Sequence, residues 1–222
     1  MVKKKKKGDK KGLLKYSAPK FLICKSGPEP EFISFLSEVK NRGKLLDVGC
    51  GIGLESDYAQ KLGFEVVAID NNYSCIKKAK EINHRVDFKQ MDIFNFVKKV
   101  PKNEFSVVLD SKFSNRLTLG HLKRYYKNIA KALQHNGLMY LQVLSTEDTY
   151  CKKHCPKRKW TKIKDVYIRF FSKKELIKLL RLTGLKVEQF KIVKQKSTTG
   201  ENEERQEETY YVIIAKQTIK KW

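Results

Sequence analysis

The residues of this 222-residue chain best suited to chemistry begin in the segment Leu45-Leu46-Asp47-Val48-Gly49-Cys50-Gly51-Ile52-Gly53. A short apolar run stops there in a Gly-x-Gly-x-Gly turn. Without side chains, the backbone can bend sharply and come close to a ligand. Seventeen residues after Gly53, Asp70 closes a second apolar run, residues 65–69. A carboxylate in that place can accept hydrogen bonds from both hydroxyls of a ribose. A dinucleotide site uses the same ribose logic, but its fingerprint is Gly-x-Gly-x-x-Gly with a helix N-terminus facing pyrophosphate. Here Leu54 stands at the third glycine position and Gly53 comes one residue early. Asp47 also puts a negative charge at the strand end, which suits an ammonium or sulfonium centre better than a diphosphate.

The elements that must position these groups follow from hydrophobic periodicity. Phe32, Phe35, Leu36 and Val39 recur at helical spacing, with Gly43 as a stop. Residues 44–48, 65–69, 86–91, 105–110 and 138–144 read as buried strands. Between them lie helices carrying Leu54, Tyr58 and Leu62, then Cys75, Ile76, Ala79 and Ile82. A third carries Leu122, Tyr125, Tyr126, Ile129, Ala130 and Leu133 and ends at Asn136-Gly137. Ser172-Lys173-Lys174-Glu175 reads as a capping box for a helix with Leu176, Leu179 and Leu180, stopped at Gly184. Residues 186–193 and 210–215 are two last strands around a polar stretch, 196–208, expected to be an exposed hairpin loop. This alternation predicts an α/β fold: a doubly wound, mostly parallel seven-stranded sheet with helices on both faces. In such a sheet the ligand crevice lies beyond the carboxyl ends of the strands.

The segment LLDVGCGIG followed by VVAID resembles motif I and the following acidic strand of class I S-adenosylmethionine (SAM)-dependent methyltransferases. Asp92, in QMDI, and the strand FSVVLD fall in order with that family's later motifs, and the resemblance covers about residues 28–216. It implies a Rossmann-like methyltransferase fold with its last strand antiparallel, and SAM as cofactor. It implies that Asp47, Gly49, Gly51 and Gly53, with Cys50 in the same turn, line the methionine and ribose part. Asp70 would hold the ribose, Asn71 flank the adenine, and Asp92 with Ile93 meet its amine edge. The stretch GCGIGLESDYAQKLGFEVVAIDNN is most similar to small-molecule methyltransferases of the tellurite-resistance and thiopurine type. A small acceptor is therefore the first expectation. FSVVLDSKFSNRL also resembles the fourth-strand segment of a protein-lysine methyltransferase group, although the glycine of that pattern is absent. A SAM-fold binding subunit without activity is disfavoured by the intact cofactor motif.

On the acceptor side the candidates are Asp110, Ser111 and Lys112, followed by Phe113. The sequence Asp110-Ser111-Lys112-Phe113 departs from the [DNS]-P-P-[YFW] of amino-directed nucleic-acid methylases, and no Pro-Cys or Thr-Cys pair offers a nucleophile for cytosine C5. His121 and His154 are the candidate bases, each more simply read as a surface residue. Cys151, His154 and Cys155 lack a fourth ligand and paired knuckles, so no metal is expected. Lysine and arginine total 48 against 24 acids, a net charge of +24. Residues 1–20 hold nine lysines and one aspartate and read as a disordered arm, ahead of one catalytic domain at 21–217. The excess suits a polyanion such as RNA, so an RNA methyltransferase is an alternative, as is a general lysine bias. Residues 146–169 read as a flexible basic loop over the site mouth, with Trp160, Tyr167 and Phe170 in or beside it as candidate substrate contacts. Five cysteines, an odd and scattered number, argue for a reducing cytoplasm rather than a disulfide framework. No apolar run approaches the roughly 20 residues that span a bilayer.

Overall fold

The structure, a computed structural model, describes residues 27–155, 159–163, 166–197 and 206–218. The lysine-rich segment 1–20 lies outside them. The chain opens with helix α1 (Pro30–Glu38). It then alternates β1 (Lys44–Val48), α2 (Leu54–Lys61), β2 (Glu65–Asp70), α3 (Tyr73–Ile82), β3 (Asp87–Gln90), α4 (Ile93–Phe96) and β4 (Phe105–Ser111). A 3-10 turn, Ser114–Arg116, leads to α5 (Leu119–Ala132), β5 (Leu133–Leu144) and α6 (Thr149–His154). Strands β6 (Trp160–Ile163) and β7 (Val166–Arg169) form a separate two-stranded sheet, followed by α7 (Lys173–Leu182), β8 (Leu185–Ser197) and β9 (Gln206–Gln217).

The main sheet has seven strands in the order β3-β2-β1-β4-β5-β9-β8. Strands β1 to β5 pair in parallel, and β9, the last in sequence, runs antiparallel between β5 and β8. The sequence of strands reverses direction between β1 and β4, which opens the crevice at their carboxyl ends. Both faces are covered. Residues of α1, α2 and α3 pack with Leu45, Val107, Leu109, Tyr140 and Tyr210 on one side. Residues of α4, α5 and α7 pack with Leu46, Val108, Leu141 and Ile213 on the other. Adjacent strand residues thus go to opposite faces, as a pleated strand requires.

Several local expectations change. Helix α5 ends at Ala132, before Asn136-Gly137, because Leu133 already pairs with Phe105 and is fully buried. The Asn-Gly pair instead makes an irregularity inside β5, with Asn136 at φ 65°. In α2 the buried residues are Ser56 and Ala59, with Tyr58 and Leu62 only half-buried, and Ile82 of α3 is exposed. Ser172 makes no side-chain cap bond to α7. Glu175 turns instead to the Arg169 guanidinium and to Lys159 Nζ, 2.6 Å away, because buried Arg169 needs a counter-ion. Strands β8 and β9 stay paired out to Ser197 and Gln206, so the polar stretch is shorter than expected; residues 198–205 lie outside the described residues. The described part of the basic segment 146–169 is folded rather than loop: Cys151, Cys155, Ile168 and Phe170 form a small buried cluster. Phe170 is thereby a core residue, and the side chain of Tyr167 lies outside the described residues.

Asp148 ties this segment to the sheet. Its Oδ1 accepts from Tyr150 N at 2.9 Å and Cys151 N at 3.3 Å, and Oδ2 accepts from Thr209 N at 2.8 Å. Asp148→Ala removes a helix cap and leaves a buried N–H unmatched. The expected loss is about 2–4 kcal/mol, read as a lower urea midpoint at an unchanged slope.

Candidate active site

The crevice at the ends of β1 and β2 is built by one tight turn. Gly49, Gly51 and Gly53 all have left-handed φ, at 72°, 54° and 80°. A Cβ at Gly49 would stand 2.7 Å from the Phe113 ring, and one at Gly53 2.6 Å from the Phe88 ring. Those two positions are closed to any side chain by conformation and by packing. Gly51 differs: a Cβ there would meet nothing within 4 Å, so this part of the turn faces open space. Gly49 N and Cys50 N both donate to Ile69 O, at 2.8 and 3.1 Å, which fastens the turn to β2. Burial pushes the Cys50 thiol well up, so it stays a neutral packing group.

Asp70 sits across from the turn. Its Oδ2 accepts from Gly51 N at 3.1 Å and its Oδ1 from Asn72 N at 2.8 Å. Burial raises its pKa, opposed by the backbone N–H groups of Asn72, Gly51 and Asn71. With those bonds made, the carboxylate still has lone pairs for a diol. Met91 N donates to Asp70 O at 2.9 Å, which brings Asp92 alongside. Asp92 caps α4, its Oδ1 accepting from Phe94 N at 2.9 Å and Asn95 N at 3.2 Å, while Oδ2 is buried with no partner. That oxygen is suited to an amine hydrogen. Ile93 is buried beside it, and exposed Asn71 receives Gln90 Nε2 on its carbonyl at 3.4 Å.

Asp47, near the end of β1, is almost fully buried, and Ser56 Oγ donates to its Oδ2 at 2.5 Å. Burial, then the neighbouring Glu55 carboxylate, pushes its pKa to about 8. A carboxyl so placed holds a proton near neutrality and gives it up when a cation arrives. The open side of Gly51, the part-satisfied Asp70, the orphan oxygen of Asp92 and this poised acid fit an adenosyl group with a sulfonium.

Beyond β4 the three acceptor-side candidates part company. Asp110 is fully buried: Ser114 N donates to Oδ1 at 3.0 Å and Ser114 Oγ to Oδ2, while Tyr126 OH donates to Ser114 Oγ at 2.8 Å. Burial lifts its pKa to about 6. The adjacent Asn115 gives its Nδ2 to Arg169 O at 2.6 Å and takes Leu144 N on Oδ1 at 3.4 Å. Asp110 thus anchors a turn that joins β4, β5 and β7. In the sequence Ser114 and Asn115 show only as two small polar residues after a strand, and Tyr126 only as a core-facing position of α5. Ser111 Oγ donates to Gln142 Oε1 at 3.2 Å. Lys112 has φ 65°, and its Nζ lies 3.6 Å from Glu208 Oε2, 4.0 Å from Glu29 Oε1 and 5.3 Å above the Tyr210 ring. Phe113 packs on Tyr125, 5.5 Å between centroids, and walls the glycine turn from β4.

The other candidates stand apart from this group. His121 stacks on Phe94 at 5.3 Å and His154 on Tyr150 at 4.4 Å. Cys151 and Cys155 are buried. Among the described residues no group of three His, Cys, Asp or Glu could hold a metal, and no helix is long and apolar enough to cross a membrane.

Comparison with known proteins identifies the family and the fold. A Methyltransferase domain model matches residues 24–190. The ubiquinone biosynthesis O-methyltransferase of Pelagibacter ubique is 30% identical over 106 residues, 46% of this chain and 42% of that protein, so the match spans less than half of that relative. A SAM-dependent methyltransferase of Methanosarcina mazei superposes with TM-score 0.71 at 17% identity, over 87% of this chain and all of that one. The Burkholderia thailandensis 1,6-didemethyltoxoflavin-N1-methyltransferase, solved with bound 1,6-didemethyltoxoflavin and S-adenosylhomocysteine, gives TM-score 0.63 at 19% identity over 86% of this chain and 78% of its own. With its seven-stranded sheet, its glycine turn bonded to an acidic strand end and three quarters of its length under the family model, the chain belongs to the methyltransferase domain family.

Proposed function

We propose that this chain transfers a methyl group from SAM to a small-molecule acceptor. The observation that carries the reading is the bond between Gly51 N, in the turn after β1, and the Asp70 carboxylate at the end of β2, beside the strand-order switch between β1 and β4 and close to the buried Asp47 carboxyl. Asp70 would hold the ribose hydroxyls, Asn71 and Ile93 would flank the adenine, and Asp92 would accept from its amine. The glycine turn would let the methionine part lie against backbone, with Asp47 as counter-charge. SAM when bound supplies an electrophilic methyl on a sulfonium. The protein's part is to align the acceptor with the methyl–sulfur bond and to exclude water. Ser111 and Lys112 stand on the acceptor side, and Asp110 acts as a positioning residue through Ser114 and Asn115.

The charge map favours a small acceptor over a nucleic acid. The chain is strongly basic, yet Glu29, Asp47, Glu55, Asp70, Asp92 and Glu208 gather in and beside the crevice. Carboxylates there suit a cationic cofactor and repel phosphate. The structurally similar Burkholderia enzyme is named for 1,6-didemethyltoxoflavin, a small molecule. The +24 charge favours the competing RNA reading, which requires RNA affinity that falls steeply with salt.

Asp70→Ala should weaken SAM binding about 100-fold or more, as two charge-assisted bonds are lost, with Asp70→Asn intermediate. Unchanged affinity in calorimetry would place the cofactor elsewhere. The Asp47 carboxyl sets a pH dependence. It is mostly protonated at pH 6 and half ionised near pH 8, so SAM affinity should rise from pH 6 through 8 and level off only above that, with protons released on binding below it. Stability of the ligand-free protein should move oppositely. The fold keeps a proton that the unfolded chain loses above about pH 4, so unfolding becomes easier as pH rises through that window. Asp47→Asn should flatten both trends in buffer-varied calorimetry and thermal melts.

A further inference from the structure

On the α1 face of the sheet, at the carboxyl ends of β4 and β5, lies a group of polar side chains that the cofactor site does not use. Gln142 and Tyr140 alternate along β5 and share that face with Ser111 of β4 and Tyr210 of β9. Both are fully buried. Gln142 accepts from Ser111 Oγ through Oε1, but its Nε2 has no partner. The Tyr140 hydroxyl has none either. Phe32 and Phe35 of α1 hold the Tyr140 ring, at 5.4 and 5.3 Å between centroids. Burial, then Glu31, Tyr210, Glu29 and Glu55, raises the pKa of that hydroxyl, so it remains a donor. Glu29 and Glu208 flank Lys112 beside the same patch.

Nearly all buried polar groups in folded proteins find partners, so two orphan donors on one face call for one. Both offer N–H or O–H, which an oxygen acceptor matches. The surrounding carboxylates outnumber Lys112 and disfavour a second anion. We propose that this patch is the floor of the acceptor pocket, and that Gln142 and Tyr140 together bind a carbonyl or hydroxyl oxygen of an acceptor without phosphate. The proposal rests on the methyl-transfer reading. Gln142 and Tyr140 determine which acceptor is held, and the glycine turn and Asp70 remain responsible for the cofactor.

The full chain and its Tyr140→Phe and Gln142→Leu variants would be compared in two assays: SAM binding by calorimetry, and release of S-adenosylhomocysteine. The panel would hold hydroxy- and keto-aromatic compounds, each paired with its phosphate ester, together with a short oligoribonucleotide. Expected are SAM affinities within about twofold of the parent and turnover of at least one unphosphorylated member. For that member kcat/KM should fall by about tenfold or more in each variant. The thermal midpoint of ligand-free Tyr140→Phe should equal or exceed the parent's, since only an orphan hydroxyl is removed from the interior, while Gln142→Leu also gives up the bond from Ser111 Oγ and should melt slightly lower. If Gln142→Leu does not fold, Tyr140→Phe, which only deletes a hydroxyl, carries the test. Parent-like turnover by the variants, turnover confined to phosphate esters or RNA, or none across the panel overturns the proposal. Failure of the parent to bind SAM would instead remove the methyl-transfer reading itself.

Discussion

The carboxylate of Asp70 is the constraint on which the rest of this site depends. One oxygen takes Gly51 N and the other takes Asn72 N, so a single side chain fixes the glycine turn after β1 and the start of α3 after β2. The backbone bonds from Gly49 and Cys50 to Ile69 pull the same two strands together from the main chain. A bend held at both ends cannot drift, and the open face at Gly51 is therefore a fixed surface rather than a loose loop. Such preorganisation is what lets binding free energy go into aligning a cofactor instead of ordering the chain.

The energetic cost of this arrangement is carried by buried acids. Asp47 and Asp110 are both enclosed, and burial is the leading cause of the raised pKa in each. Their settings differ in kind. Asp47 has one hydroxyl partner and further carboxylates nearby, so it is poised for an incoming positive charge. Asp110 is met by Ser114 through both its backbone and its hydroxyl, and Tyr126 continues the chain. Satisfied in that way, a buried carboxyl organises structure. Through Asn115 it connects the ends of β4 and β5 with the β6–β7 hairpin. The two acids thus differ in what burial leaves them: Asp47 keeps unmet acceptor capacity, and Asp110 is spent on the walls.

The distribution of charge deepens that division. The chain carries +24 overall, yet the groups around the crevice are mostly acidic. Lysines at exposed positions such as Lys61, Lys191 and Lys194 meet local acids and leave the interior of the site untouched. A net charge read from composition therefore describes the outer field of the molecule and gives little guidance to the chemistry inside.

How much of this was legible in the residues follows from range. The glycine turn, the acid seventeen residues beyond it and the strand–helix alternation are local patterns, and local patterns encode local geometry; the sheet and the closeness of the turn to Asp70 were readable for that reason. The capping role of Ser172 was not, because Glu175 found buried Arg169 from a separate strand. The end of α5 moved to Ala132 because Leu133 pairs with Phe105 across the sheet. The folding of the basic segment depends on Cys151, Ile168 and Phe170 meeting from distant points. The same holds for the acceptor side. Residues 110–112 announce a strand end, but how far each is enclosed and which partner it takes is decided by Ser114, Tyr126, Gln142 and Glu208. By itself the sequence determined the sheet and the glycine turn, whose information lies in short stretches of chain. Tertiary structure alone decided burial and partnership, since both are set by residues far apart in sequence that the fold brings within a few ångströms.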